Sequence, residues 1–152
     1  MGIEENKKIL QRLFDELWNN QDYSKADEIL HEDYTGSGGG GIKGIEGHKQ
    51  LNQLWHSATP DMHYETLEMI AEGDKVVIFQ EFKGTLVGEF QGIKGKGQPI
   101  TRHPVGIYEF KYGKVIRGGA TRVVNDALSF YQQLGALPPT EEIVKAYNDS
   151  LK

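Results

Sequence analysis

Apolar residues in the first third of the chain recur with a period near 3.6. Ile9, Leu10, Leu13, Phe14, Leu17 and Trp18 alternate with charged residues at that spacing, which predicts an amphipathic helix from about Glu4 to Asn19. The polar "NNQD" breaks it, and Asp22 or Ser24 supplies a cap for a short second helix carrying Ala26, Ile29 and Leu30. "HEDYTGSGGGGIKG" reads as a short extended piece running into a glycine loop. A third helix follows, with Leu51, Leu54, Trp55 and Ala58 on its apolar stripe, and stops before Pro60.

Beyond Asp61 the period drops to 2. "MHYETLEMIAEGDKVVIFQEFKGT" reads as two strands joined by the turn "AEGD", with Val76, Ile78 and Phe82 on one face and Val77, Phe79 and Glu81 on the other. "LVGEFQGIKGKGQPI" is glycine-rich and reads as an irregular strand and a loop. "TRHPVGIYEFKYGKVIRGGATRVV" is a long hairpin turning at Tyr112-Gly113. A short helix through Phe130, Tyr131 and Leu134 and a polar helix in "TEEIVKAYNDSLK" complete the chain. Helices first and hairpins afterwards predict an α+β fold, with a curved, mostly antiparallel sheet wrapped over three N-terminal helices. No repeat or linker divides the chain, so residues 1–152 form one domain, with 138–152 a peripheral C-terminal helix.

Composition narrows the function. The balance of 17 Lys and Arg against 22 Asp and Glu leaves a net charge of -5, which argues against a nucleic-acid surface. There are no cysteines, so disulfides, thiolate nucleophiles and Cys-ligated zinc are excluded. No apolar run is long enough to span a bilayer. The first residues lack the apolar core of a secretion signal, so a cytoplasmic location is expected. No His and carboxylate pattern has metal-ligand spacing, and no metal or cofactor is expected. "GSGGGGIKG" lacks the strand, helix and G-K-[ST] of a phosphate loop. It reads as either a lid at a pocket mouth or a plain surface loop.

Several motifs in order point to a family. The Pro60-Asp61 pair, "AEGDKVV", "GTLVGEFQGIKGKG", the third-helix entry "EGHKQLNQLW" and the closing "DALSFYQQLGALP" resemble the SnoaL-like polyketide cyclases. That group, also called ester cyclases, belongs to the nuclear transport factor 2-like superfamily. The resemblance implies a cone with a deep, mostly apolar pocket, a homodimer, and a small apolar or polyketide-like ligand. It also implies intramolecular aldol chemistry without metal or organic cofactor. Asp126 falls on the family's acid/base position, counting back from "QQLG". Three pattern positions differ. Leu86 stands where a His usually follows Gly-Thr, "RGGATR" replaces a Glu and Trp stretch, and "TGSGGGG" replaces a His-bearing loop.

The candidate residues each carry two readings. Asp126 either caps the helix beginning at Ala127 or works as an acid/base, its pKa raised by burial. His103 shares a strand face with Val105 and Ile107 and either polarises a carbonyl or simply bonds the backbone. His48 shares the helical face of Leu51 and Trp55 and can face a pocket. His56, with Lys49, Asn52 and Gln53, falls on the polar side. Glu81 is either a pocket acid or the ion-pair partner of Arg122 or Arg102. Tyr34, Trp55 and Tyr108, with Trp18, line or pack the cone. The first reading is therefore an acid/base enzyme with Asp126 and His103 as catalytic groups. Tyr34, His48, Trp55, Glu81, Tyr108 and Arg122 would contact the substrate. The alternatives are a non-catalytic binding cone and an epoxide hydrolase-like site, to which Arg122 and Asp126 supply part of an Asp-Arg-Asp set.

Overall fold

The computed structural model describes residues 2–36, 42–119 and 127–152. Helix α1 runs Ile3–Arg12 and continues without a break into a π-helical segment, Leu13–Asn19. The apolar period places Leu10, Leu13, Phe14 and Leu17 in the core, as the sequence predicts. The wider π turn is where the structure departs from a plain helix. Two carbonyls in it take side-chain donors from the next long helix: Asn52 Nδ2 donates to Leu17 O, and the His56 ring to Trp18 O at 2.6 Å. His56 and Asn52, expected on the solvated side, thus face inward, and Asn52 is 1% exposed. Leu54, expected on the buried stripe, is exposed instead.

Asp22 closes a local turn rather than capping a helix, accepting bonds from the Ser24 N–H and hydroxyl. Helix α2 is the single turn Ala26–Ile29, and Leu30 opens strand β1, Leu30–Gly36. Helix α3, Gly44–Ala58, ends where expected, before Pro60. Strands β2 (His63–Glu72) and β3 (Lys75–Leu86) form the first hairpin. The glycine-rich stretch holds a small separate hairpin, β4 (Glu89–Phe90) with β5 (Ile93–Lys94), followed by β6 (Gln98–Arg102). Strands β7 (Val105–Lys111) and β8 (Lys114–Gly119) turn at Tyr112-Gly113. Both turn residues have positive φ (54° and 74°), as a type I′ turn requires.

Among the described residues, six strands form one curved, unclosed sheet in the order β1-β8-β7-β3-β2, with β6 also paired to β3. All its pairings are antiparallel except β1 with β8. Strict alternation along β3 puts Val76, Ile78, Gln80, Phe82 and Leu86 inside, against the helices, and leaves Glu81 and Lys83 outside. The fold is the α+β arrangement that the pattern predicts.

The motifs behind the resemblance turn out to be clasps. Asp61 of the Pro-Asp pair accepts bonds at 2.8 Å from both the N–H and the hydroxyl of Thr85 in the Gly-Thr pair. The Thr85 hydroxyl is the main cause holding the Asp61 carboxyl below its ordinary range. In "QQLG", within α4 (Ala127–Gln133) and just after it, Gln133 exchanges amide bonds with the Thr101 backbone. Gln132 reaches Pro138 O and Thr140, and Leu134 is buried. Gly135 takes φ 83°, a conformation suited to glycine, just past the helix end. Helix α5 (Thr140–Ser150) has no buried residue. No helix among the described residues is long and apolar enough to cross a membrane.

Candidate functional site

Between the helices and the inner face of the sheet lies an open cavity of about 130 Å³, room for a body about the size of one aromatic ring. Phe14 and Trp18 reach it from the π segment, Leu51 and Trp55 from α3, and Tyr34 from β1. Tyr64, Phe82 and Tyr108 close it from the sheet, with Gln80, Arg102 and Pro104 beside them. The rings pack edge to face: Phe14 on Tyr64 at 5.1 Å, Phe14 on Tyr108 at 5.9 Å, and Tyr64 on Phe82 at 5.0 Å. Trp55 continues the wall through Phe82 and Phe90 to Phe130 of α4.

Local devices hold these rings. The Asn19 amide bonds both the N–H and the carbonyl of Tyr64, so the end of the π segment extends the sheet by one pairing and aims Tyr64 inward. Tyr108 stands opposite Gly118 in the β7–β8 ladder. A Cβ on Gly118 would come within 2.2 Å of the Tyr108 ring, so the ring can lie flat across β8 because residue 118 has no side chain. This gives the "RGG" departure from the family pattern a physical role.

Of the predicted site residues, Tyr34, Trp55 and Tyr108 line the cavity together. Burial raises the phenol of Tyr34 to about 12 and that of Tyr108 well above its ordinary value. Both are neutral hydroxyls at physiological pH. His48 is 1% exposed and sits behind the wall, its ring 4.9 Å from Trp18 and 5.8 Å from Tyr34. Asn52 Nδ2 donates to the Tyr23 hydroxyl, which also bonds His48 Nδ1 at 2.7 Å. Burial lowers the pKa of His48 to about 4, so its ring is neutral at physiological pH. It is a neutral buffer to the wall rather than a pocket lining.

Glu81 and His103 are corrected in position. Both lie on the outer face of the sheet, bonded to each other at 3.3 Å, with Lys83 also 3.3 Å from the Glu81 carboxylate. The cause is parity. Glu81 and His103 share their face with Val77, Phe79 and Val105, and that face points away from the helices. Arg122 and Asp126 lie outside the described residues. Helix α4 begins at Ala127, the residue after Asp126, and the Gln133 amide clasp fixes it against β6.

Sequence reasoning passed over Gln80 and Tyr64, and named Arg102 as a partner for Glu81 rather than as part of the pocket. The signal for Gln80 was present, since it has the same parity as Ile78 and Phe82. Arg102 has the parity of Pro104 and Gly106, and its guanidinium stacks on the Phe130 ring with Cζ 4.2 Å from the centroid. Among the described residues no group of three or more His, Asp or Glu side chains is placed to hold a metal ion.

The cavity under a curved sheet, closed by N-terminal helices, defines the cone class of α+β domains. A family profile described as SnoaL-like polyketide cyclase matches residues 8–134, and the chain belongs to that family. TsrD from Streptomyces laurentii superposes with a TM-score of 0.80 at 25% identity, covering 90% of this chain and 99% of TsrD. AclR from Streptomyces galilaeus gives 0.76 at 24% identity, covering 99% of this chain and 93% of AclR. TerC, co-crystallised with polyporic acid, gives 0.67 at 18% identity, covering 86% of this chain and 98% of TerC. No curated protein sequence matches the chain.

Proposed function

We propose that the protein is a cofactor-independent enzyme of cyclase type, carrying out acid/base chemistry on a small or medium-sized apolar carbonyl compound. The observation that carries this reading is the cavity itself, an aromatic chamber with neutral phenols and a guanidinium, in a chain of the SnoaL-like family. Asp126 is the acid/base in this reading. An aldol-type closure begins when a carboxylate removes a proton from the carbon next to a carbonyl. The electron pair then moves onto the carbonyl oxygen, and buried donors stabilise the enolate. Tyr34 and Tyr108, held neutral by burial, are suited to donate there. The reading includes a homodimer in the cytoplasm. Exposed Leu67 and Ile70 on the outer face of β2 favour pairing of two sheets, checked by light scattering.

The test uses hydrogen exchange rather than the native substrate. Wild-type protein is expected to accelerate α-hydrogen exchange of the one-ring ketone acetophenone in D2O, followed by NMR, and Asp126→Asn to lose about 100-fold of that acceleration. Equal exchange by both proteins sinks the assignment. The second reading, a binding cone without turnover, is favoured by Leu86, which is buried at 1% exposure where the family usually has a His. It predicts that acetophenone binds while its exchange stays at the solvent rate.

A further inference from the structure

Gln80 sits midway along β3 on the cavity face, between Ile78 and Phe82 and opposite Thr66 of β2. It lines the cavity and is 3% exposed, and its Nε2 has no hydrogen-bond partner among the described residues. Its backbone N–H is already spent on Pro104 O at 3.1 Å. A buried amide without a partner is a net cost to folding, and a leucine of similar size would fill the same space without it. Gln80 is thus a poor choice for packing and a good one for binding. The neighbouring wall is made of flat rings, Phe14, Trp18, Tyr64 and Tyr108, which suit an aromatic body.

We propose that Gln80 is the specificity-determining donor of this pocket, reading an acceptor oxygen, a ketone carbonyl or its enolate, on a flat aromatic ligand. The inference rests on the proposed function in taking this cavity as the substrate site, and adds the group that distinguishes oxygenated from hydrocarbon rings.

Acetophenone and ethylbenzene are matched in size and differ in the carbonyl oxygen. Both tryptophans of the chain, Trp18 and Trp55, line the cavity, so intrinsic fluorescence reports its occupancy. Wild-type protein is expected to bind acetophenone about tenfold more tightly than ethylbenzene, the range of one hydrogen bond in a dry site. Gln80→Leu is expected to bind the two alike, with ethylbenzene held at least as well as by wild type, and to melt at or above the wild-type temperature. No preference in the wild type, or a preference kept in Gln80→Leu, overturns the proposal. So does a lower melting temperature for Gln80→Leu, because it would mean that the amide is bonded within the fold. Discrimination by the wild type without acetophenone exchange sinks the catalytic reading and keeps this one. Exchange lost in Asp126→Asn, in a protein that shows no discrimination, does the reverse.

Discussion

Gln80 and Glu81 are adjacent on β3, yet their surroundings have nothing in common. The Gln80 amide is buried against aromatic rings, with no partner for Nε2 among the described residues. The Glu81 carboxylate stands on the outer face with Lys83 and His103, both 3.3 Å away. On the outer face a polar group finds water and mobile neighbours, so it costs little to keep and little to lose. On the inner face every polar atom must find a partner in the fold or in a ligand. A one-residue step along a strand therefore separates a surface ion pair from a candidate recognition group.

Truncation sharpens this contrast most. Phe82 on the inner face is 2% exposed and touches Tyr64 and Trp55, so Phe82→Ala is expected to cost about 3–5 kcal/mol in urea unfolding. Phe79, half-buried on the outer face, is expected to cost roughly 1 kcal/mol on the same change. Equal losses would break the distinction between the faces.

Acid comes next. The unfolded chain takes a proton on His48 near the ordinary value of 6.5, whereas the folded protein resists protonation down to about 4. Stability is thus intact above 6.5 and falls as the pH drops toward 4, by an amount on the order of 3 kcal/mol. Denaturant midpoints measured across that window check the prediction, and a flat profile for the His48 contribution would contradict a buried neutral ring.

The smallest effect is expected outside. Glu81→Gln should change stability by less than about 0.5 kcal/mol, because His103 and Lys83 are themselves largely exposed. It should leave acetophenone binding unchanged, and a marked loss of affinity would bring the outer face back into the site.

Periodicity was enough to place most elements, because burial of one helix stripe or one strand face leaves a pattern that needs no distant partner. It marked α1, α3, the β2–β3 and β7–β8 hairpins and the type I′ turn at Tyr112-Gly113. It also carried the parity that puts Gln80 inside and Glu81 outside, although the chemistry of Glu81 drew attention to the wrong face. Where it misread a face, as for Asn52, His56 and Leu54 on α3, the deciding contact lay elsewhere. The carbonyls of Leu17 and Trp18 in the π segment draw Asn52 and His56 inward, and residue patterns within α3 alone do not contain that demand.

What the sequence determined by itself is the α+β order, the family and which strand residues share a face, since these follow from local period and ordered motifs. The tertiary structure alone decided which distant groups meet. Asp61 clasps Thr85, Gln133 pairs with Thr101, and Gly118 vacates the space that the Tyr108 ring covers. It also decided that Gln80 is enclosed by rings, with no partner for its Nε2 among the described residues. Hydrogen bonds and close packing depend on the angstrom-scale approach of residues far apart in the chain, and curvature and register of the assembled sheet set that approach.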